Sequence, residues 1–265
     1  MKVKVISIME EWKQGRQDNQ PRVWAHRGAN AYAPDNTLEA FQYAVEVGAD
    51  GIELDIQQTK DNVLVVTHDE RLERTSNGIG WVKDHSFSQL RKLDFTGGWK
   101  GEHRGPARIA SMEEVFELIR PSSLTINIEL KTSIIHYRGI EDRILEMAAR
   151  YGMEERVVYS SFHLLSLGKL HLLNPDAKIG LLYEGTIHDI SALAQRSGVQ
   201  ALHPAFINLL NPRFMENCRN NHLDVNVWTI NTEEQMRLSC MAGVNAIITD
   251  YPDKAKQIVM EMAKT

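Results

Sequence analysis

Two acidic side chains on one face of a short apolar run are the first sign of chemistry in this chain. The run is GIELDI, residues 51–56. Successive side chains of a β-strand point to opposite faces, so Ile52, Leu54 and Ile56 share one side while Glu53 and Asp55 share the other. Burying two like charges on a core strand is costly unless a cation neutralises them or they take up protons. A second run, LTINIELK, alternates in the same way, with Thr125, Asn127, Glu129 and Lys131 opposite Leu124, Ile126, Ile128 and Leu130. If the two runs are neighbours in a sheet, Glu53, Asp55 and Glu129 converge, with the Lys131 ammonium one pleat further on. Three hard oxygen ligands suit one divalent cation, Mg²⁺ or Ca²⁺, better than zinc, which favours His and Cys. The plain alternative makes these acids surface residues of edge strands, but the flanking apolar residues read as central strands.

Such groups need a scaffold. A chain of 265 residues is long enough for one α/β barrel or two ordinary domains. A 43% hydrophobic and 25% charged composition suits a globular protein whose core needs no disulfides. The net charge of −5 disfavours nucleic acid and anionic membranes as partners, since both reward basic surfaces. Cys218 and Cys240 stand outside the acidic runs, which fits a reducing compartment rather than a disulfide framework. The opening MKVKVISIM is too short for a signal-peptide core or a bilayer span. The expectation is a cytoplasmic protein without stable membrane insertion; no apolar stripe indicates an oligomeric state.

Residues 1–20 read as a polar leading arm or helix, and 21–265 as a single catalytic domain. The strand VWAH closes in His26, Arg27 and Gly28, and Thr37 is a suitable N-cap for a helix that stops at Gly48. The turn QTKDN after GIELDI is too short for a parallel crossover. VLVVTHD is therefore expected to be a hairpin arm, bringing His68 and Asp69 back beside the start of GIELDI. Residues 70–110 have little periodicity and read as a functional insertion. From Ser111, which opens a capping box with Glu114, strands and helices alternate. Without the arm, eight strands begin near Val23, Gly51, Leu124, Val157, Lys178, Val199, Asp224 and Asn245. That pattern predicts a (β/α)8 TIM barrel. The alternative, a doubly wound open sheet, would be expected to carry a Gly-rich dinucleotide fingerprint, which is missing. Reactive groups of a barrel lie at the carboxyl ends of its strands. His26, Asp55, Glu129 with Lys131, Ser161, His203, Trp228 and Asp250 all fall there and are expected to face one mouth.

HRGANAYAPDNT, GIELDIQQTKDNVLVVTHD, IEL-K, VNVWTIN and AIITDYP, in this order, resemble the glycerophosphodiester phosphodiesterase family from about Arg22 to the C-terminus. The loop APDN departs from the family's usual Glu before the Asn, and Asp35 keeps the charge. The resemblance implies a barrel enzyme that hydrolyses small glycerophosphodiesters to glycerol 3-phosphate and an alcohol. It implies His26 and His68 as general acid and base, Glu53, Asp55 and Glu129 as ligands of Mg²⁺ or Ca²⁺, and Arg27 and Lys131 as phosphate contacts.

The chemistry has matching needs. A phosphodiester repels nucleophiles and loses a basic alkoxide, so its oxygens must be neutralised, the attacker deprotonated and the leaving group protonated. A divalent ion with Arg27 and Lys131 serves the first need, and two imidazoles from different elements serve the others. Trp228 is a candidate apolar wall for the glycerol moiety, Asp250 a residue that orients a neighbour, and Asn36 a brace of the HRG loop or a substrate contact. Trp99 is a possible cap of the pocket, and His203, without a motif, a structural residue. Lys131 as a Schiff-base lysine is disfavoured, because three nearby acids stabilise its ammonium. A lysophospholipase D or phospholipase C-like enzyme would benefit from an apolar rim, and a non-catalytic phosphodiester-binding barrel would need no acid–base pair.

Overall fold

The computed structural model describes residues 20–101, 105–187 and 189–264. The leading arm expected over residues 1–20 lies outside them, Gln20 excepted.

The strands are β1 (Arg22–Ala25), β2 (Gly51–Gln58), β3 (Leu64–Val66), β4 (Ala110–Ser111), β5 (Thr125–Leu130), β6 (Val157–Ser161), β7 (Lys178–Tyr183), β8 (Ala201–Pro204), β9 (Asp224–Val227) and β10 (Ala246–Thr249). Eight of them pair in parallel in the order β1, β10, β9, β8, β7, β6, β5, β2. The ring closes where Trp24 and Ala25 of β1 lie opposite Gly51 and Ile52 of β2. Helices between successive strands cover the outside, so the fold is the expected TIM barrel, and its starts lie within two residues of those expected.

Alternation sorts the side chains. On β2 and β5, Ile52, Leu54, Ile56, Ile126, Ile128 and Leu130 are buried in the core between barrel and helices. The opposite faces carry Glu53, Asp55, Asn127 and Glu129, also buried, and the register sets Glu53 beside Asn127 and Asp55 beside Glu129. Apolar burial of the first set anchors the two strands and so fixes the position of the second. Helix α1 (Leu38–Glu46) starts at Thr37, whose hydroxyl accepts the Ala40 amide at 3.3 Å. It buries Ala40, Phe41 and Ala44 against the barrel. Gly28 sits so close to α1 that a Cβ there would stand 2.7 Å from the Ala40 carbonyl carbon, and its φ is +79°. Only glycine meets both conditions without strain.

The arm after β2 is antiparallel, as expected, but its position differs from the expectation. Val66 pairs with Ile56, and the Thr67 amide donates to the Asp55 carbonyl at 3.0 Å. Thr67 therefore stands level with Asp55 and His68 one residue beyond it, beside the middle of β2 rather than its start. The cause is length: β2 runs on to Gln58 and β3 has only three residues, so the arm returns a short way. The following segment is less irregular than its sequence suggests. It contains a short 3-10 turn, Val82–Asp84, and the one-turn helix α2 (Phe87–Leu90), capped reciprocally by Ser86 and Gln89. Leu72, Val82, Leu90, Phe95 and Ile109 bury a second, smaller core around Val65 of β3. Strand β4 pairs with β3 and leads into helix α3 (Met112–Ile119) through the Ser111–Glu114 capping box. Among the described residues, no helix is long and apolar enough to cross a membrane.

Candidate active site

At the carboxyl ends of β2 and β5, oxygen atoms of Glu53, Asp55 and Glu129 lie within 4.8 Å of one another. Each carboxylate is held differently. Glu53 Oε2 accepts the backbone amide of Arg27 at 2.9 Å. Asp55 Oδ2 accepts Asn36 Nδ2 at 2.9 Å, and the Asp55 amide donates back to Asn36 Oδ1 at 3.3 Å. Glu129 Oε1 accepts Lys131 Nζ at 3.0 Å. Both Arg27 and Asn36 have left-handed backbones, φ 52° and 58°, and the Asn36 amide closes the loop by donating to the Arg27 carbonyl at 2.9 Å. This strained loop sets the Arg27 amide on Glu53 and its Nε 3.4 Å from Asp55 Oδ2.

The cluster fits a hard divalent cation on two grounds. Its donors are all carboxylate oxygens, and Asp55 Oδ1 is buried without a hydrogen-bond partner. An unpaired buried acceptor is costly, and a ligand would satisfy it. The titration behaviour agrees. Burial, with Asp55 and Glu129 alongside, raises Glu53 well above the carboxylate range. Burial and Asp55 raise Glu129 to about 7. Burial would raise Asp55 too, but Arg27, His68 and Lys131 outweigh it and hold this carboxyl at about 2. Three carboxylates this close do not all stay charged without more positive charge than Arg27 and Lys131 supply.

Each of the two histidines leans on its own carboxylate. His26 Nδ1 lies 2.6 Å from Asp250 Oδ1, and His68 Nδ1 lies 2.6 Å from Asp69 Oδ1. Asp250 in turn accepts Asn30 Nδ2 at 3.0 Å and Asn231 Nδ2 at 2.6 Å. Asp69 accepts Arg74 Nε at 2.5 Å. Burial alone would lift the Asp69 carboxyl, but its bonds to His68 and Arg74 keep it well below the usual range. Burial likewise opposes the charge on Lys131, yet Glu129 and Asp55 hold its ammonium above the ordinary lysine range. A Schiff-base role needs a neutral amine, and this setting opposes one.

His26, Arg27, His68, Lys131 and Trp228 line one cavity of about 340 Å³, floored by Glu53 and Glu129 and walled by Phe162, Leu182 and Ile248. All eight residues singled out for chemistry in the sequence, Asp55 beneath the lining included, thus lie in or against one pocket.

Three other residues expected at the mouth or over it lie elsewhere. His203 is fully buried inside the barrel, packed over Gly180, with Nε2 2.9 Å from Asn226 Nδ2, and burial lowers it to about 3. It sits one pleat below the pocket because β8 continues to Pro204. Ser161 is buried too, its hydroxyl donating to the Leu130 carbonyl at 2.9 Å. Trp99 does not line the cavity; its Nε1 donates to the Asn30 carbonyl at 3.0 Å, tying the insertion to the loop after β1.

The sequence reading missed Asn30, Asn231, Arg74 and Phe162. Asn231 carried a signal, since it closes the strand-end motif VNVWTIN. Arg74 lies in a stretch without periodicity, and nothing local marked it.

Comparison with known proteins adds the family. The model of the glycerophosphoryl diester phosphodiesterase family matches residues 26–254. A glycerophosphodiester phosphodiesterase of Caldanaerobacter subterraneus subsp. tengcongensis is 43% identical over 237 residues, covering 89% of this chain and 97% of the relative. One from Bacillus altitudinis is 38% identical, covering 91% and 99%. Among solved structures, a phosphodiesterase of Oleispira antarctica in complex with the product sn-glycerol-3-phosphate superposes with a TM-score of 0.80 at 25% identity, covering 91% of this chain and 97% of the other. The matched span runs from His26 to Lys254, enclosing both histidines and the whole acidic cluster; the chain belongs to the glycerophosphoryl diester phosphodiesterase family.

Proposed function

We propose that the chain hydrolyses glycerophosphodiesters to glycerol 3-phosphate and an alcohol, using one divalent cation and the histidine pair His26 and His68. One observation carries this reading: two imidazoles, each anchored by a carboxylate through Nδ1, share a pocket with a cluster of three acids, an arginine and a lysine.

Glu53, Asp55 and Glu129 would hold the cation, Mg²⁺ or Ca²⁺. When bound it would neutralise phosphate oxygens and lower the cost of charge building there. Arg27 and Lys131 add fixed positive charge to the same wall, binding the phosphate and biasing its orientation. Asp250 and Asp69 hold the two rings through Nδ1, so Nε2 is the nitrogen that each would turn to the substrate. One Nε2 takes the proton of the attacking hydroxyl or water, and the other gives its proton to the departing oxygen, the two roles standing on different elements as in-line displacement requires. Trp228 supplies an apolar wall for the glycerol carbons, its own N–H already donated to the His203 carbonyl at 2.7 Å.

Turnover of glycerophosphocholine, followed as release of glycerol phosphate, is the test. Wild-type rates in both His26→Ala and His68→Ala would exclude this assignment. The absence of turnover with any glycerophosphodiester in either metal would favour a binding role instead.

A further inference from the structure

Both histidines of the pocket are braced from one place, the insertion that follows β3. On one side Arg74 forks onto Asp69, with Nε on Oδ2 at 2.5 Å and Nη2 on Oδ1 at 2.9 Å, and Asp69 Oδ1 is the atom 2.6 Å from His68 Nδ1. On the other, Trp99 Nε1 donates to the Asn30 carbonyl at 3.0 Å, and Asn30 Nδ2 donates at 3.0 Å to Asp250 Oδ1, which lies 2.6 Å from His26 Nδ1. Neither Arg74 nor Trp99 lines the cavity, so neither is placed to touch substrate.

The two braces belong to one unit. The Gly97 amide donates to the Thr75 carbonyl at 3.2 Å and the Asn77 amide to the Asp94 carbonyl at 3.1 Å, so the segments that carry Arg74 and Trp99 lie side by side. They pack so closely that a Cβ on Gly97 would stand 2.8 Å from the Arg74 carbonyl oxygen. Leu72 and Phe95, one from each segment, are buried in the small core of the insertion. A guanidinium fork is planar and directional, so it sets the tilt of a carboxylate as well as its place. An acid or base acts only within hydrogen-bond reach of its proton, and that reach is sensitive to small displacements. A core shared by both braces therefore ties the setting of one ring to that of the other.

Resting on the phosphodiesterase reading above, we propose that the insertion is the positioning frame of the acid–base pair. Arg74 sets His68 through Asp69, and Trp99 sets His26 through Asn30 and Asp250; both are positioning residues. Arg74 Nη2 also stands 3.6 Å from Asp35 Oδ2, the oxygen that accepts Arg27 Nη1 at 3.2 Å. An effect carried through Arg27, a phosphate contact, would be read in KM, whereas displacement of His68 is read in kcat.

Arg74→Gln and Trp99→Phe each remove one brace and leave the lining of the pocket in place. Arg74→Gln should lower kcat on glycerophosphocholine about tenfold to a hundredfold, the cost of a slightly misplaced group. Trp99→Phe should lower it about fivefold, the worth of one neutral hydrogen bond. KM should change little, and Arg74→Lys, which returns the charge without the fork, should recover part of the loss. The deciding comparison uses the p-nitrophenyl ester of glycerol phosphate, whose leaving group departs without a proton. On that ester the variant that disturbs the acid should return to near wild-type kcat, while the variant that disturbs the base keeps its loss. Partial unfolding would lower both substrates alike and produce no such split. Equal losses on the two substrates in both variants, a loss confined to KM, or an unchanged kcat in both variants overturns the assignment and leaves the hydrolase reading intact. A wild type that hydrolyses neither ester overturns the hydrolase reading itself.

Discussion

Lys131 Nζ lies 3.2 Å from His68 Nε2. A lysine ammonium only donates, so His68 must accept through Nε2 and carry its ring proton on Nδ1, facing Asp69 at 2.6 Å. His26 is anchored by the same atom, Nδ1, but has no lysine beside Nε2 among the contacts described. The two rings thus have unequal surroundings, which the proposed division into acid and base would use.

Removing either ring should cost about a hundredfold to ten-thousandfold in kcat, the usual worth of a positioned acid or base. His26→Ala and His68→Ala, each assayed on glycerophosphocholine, check this.

Asp250 touches His26 and two asparagines and does not line the cavity, so the proposed mechanism uses it to position His26. Asp250→Asn should lower kcat by about a hundredfold, the cost of a slightly misplaced catalytic group, with little change in KM. A KM that rises in step with the loss in kcat would point to a substrate contact instead.

Asn36 brackets Asp55 with two hydrogen bonds through its Oδ2 and amide, leaving Oδ1 without a hydrogen-bond partner. Asn36→Ala should weaken Ca²⁺ or Mg²⁺ binding about tenfold to a hundredfold, as loss of a residue that orients a metal ligand does. Calorimetric titration measures it without reference to turnover.

The metal-free protein should also lose stability as pH rises. Glu129 titrates at about 7 in the folded chain, above its ordinary value near ~4.3 in an unfolded one. Between those values the folded state binds more protons than the unfolded state, so stability is greatest on the acid side and falls as pH climbs through the window. Asp55, held at about 2, acts in the opposite sense, but only in strong acid. Melting in EDTA should therefore occur at a higher temperature at pH ~6 than at pH ~8 so far as this cluster decides it. Saturating Ca²⁺ should raise the melting temperature more at the higher pH, because ligands must shed protons to bind it.

The barrel was legible because two periods repeat without conflict: alternation in the strands and caps or glycines bounding the helices. The acidic cluster was legible for the same reason, since Glu53, Asp55 and Glu129 interrupt strands that are otherwise apolar on the opposite face. The turn fell where the sequence placed it, but His68 lies less far back than expected because β2 runs on to Gln58 and β3 stops at Val66. The small core under the insertion was invisible because Leu72, Val82, Leu90 and Phe95 follow no single period. Their spacing is set by a loop that folds back on β3. His203 shows the limit of counting from strand ends: an extra strand residue drops a side chain one layer down, from the mouth into the packed interior.

The central claim is that three buried carboxylates hold a divalent cation needed for phosphodiester hydrolysis. The most direct measurement is the rate of glycerol phosphate release from glycerophosphocholine by the chelated protein, before and after Mg²⁺ or Ca²⁺ is restored. Turnover should vanish on chelation, return with one of the two ions, and stay absent under both ions in Asp55→Asn. Undiminished hydrolysis by the chelated protein would contradict it.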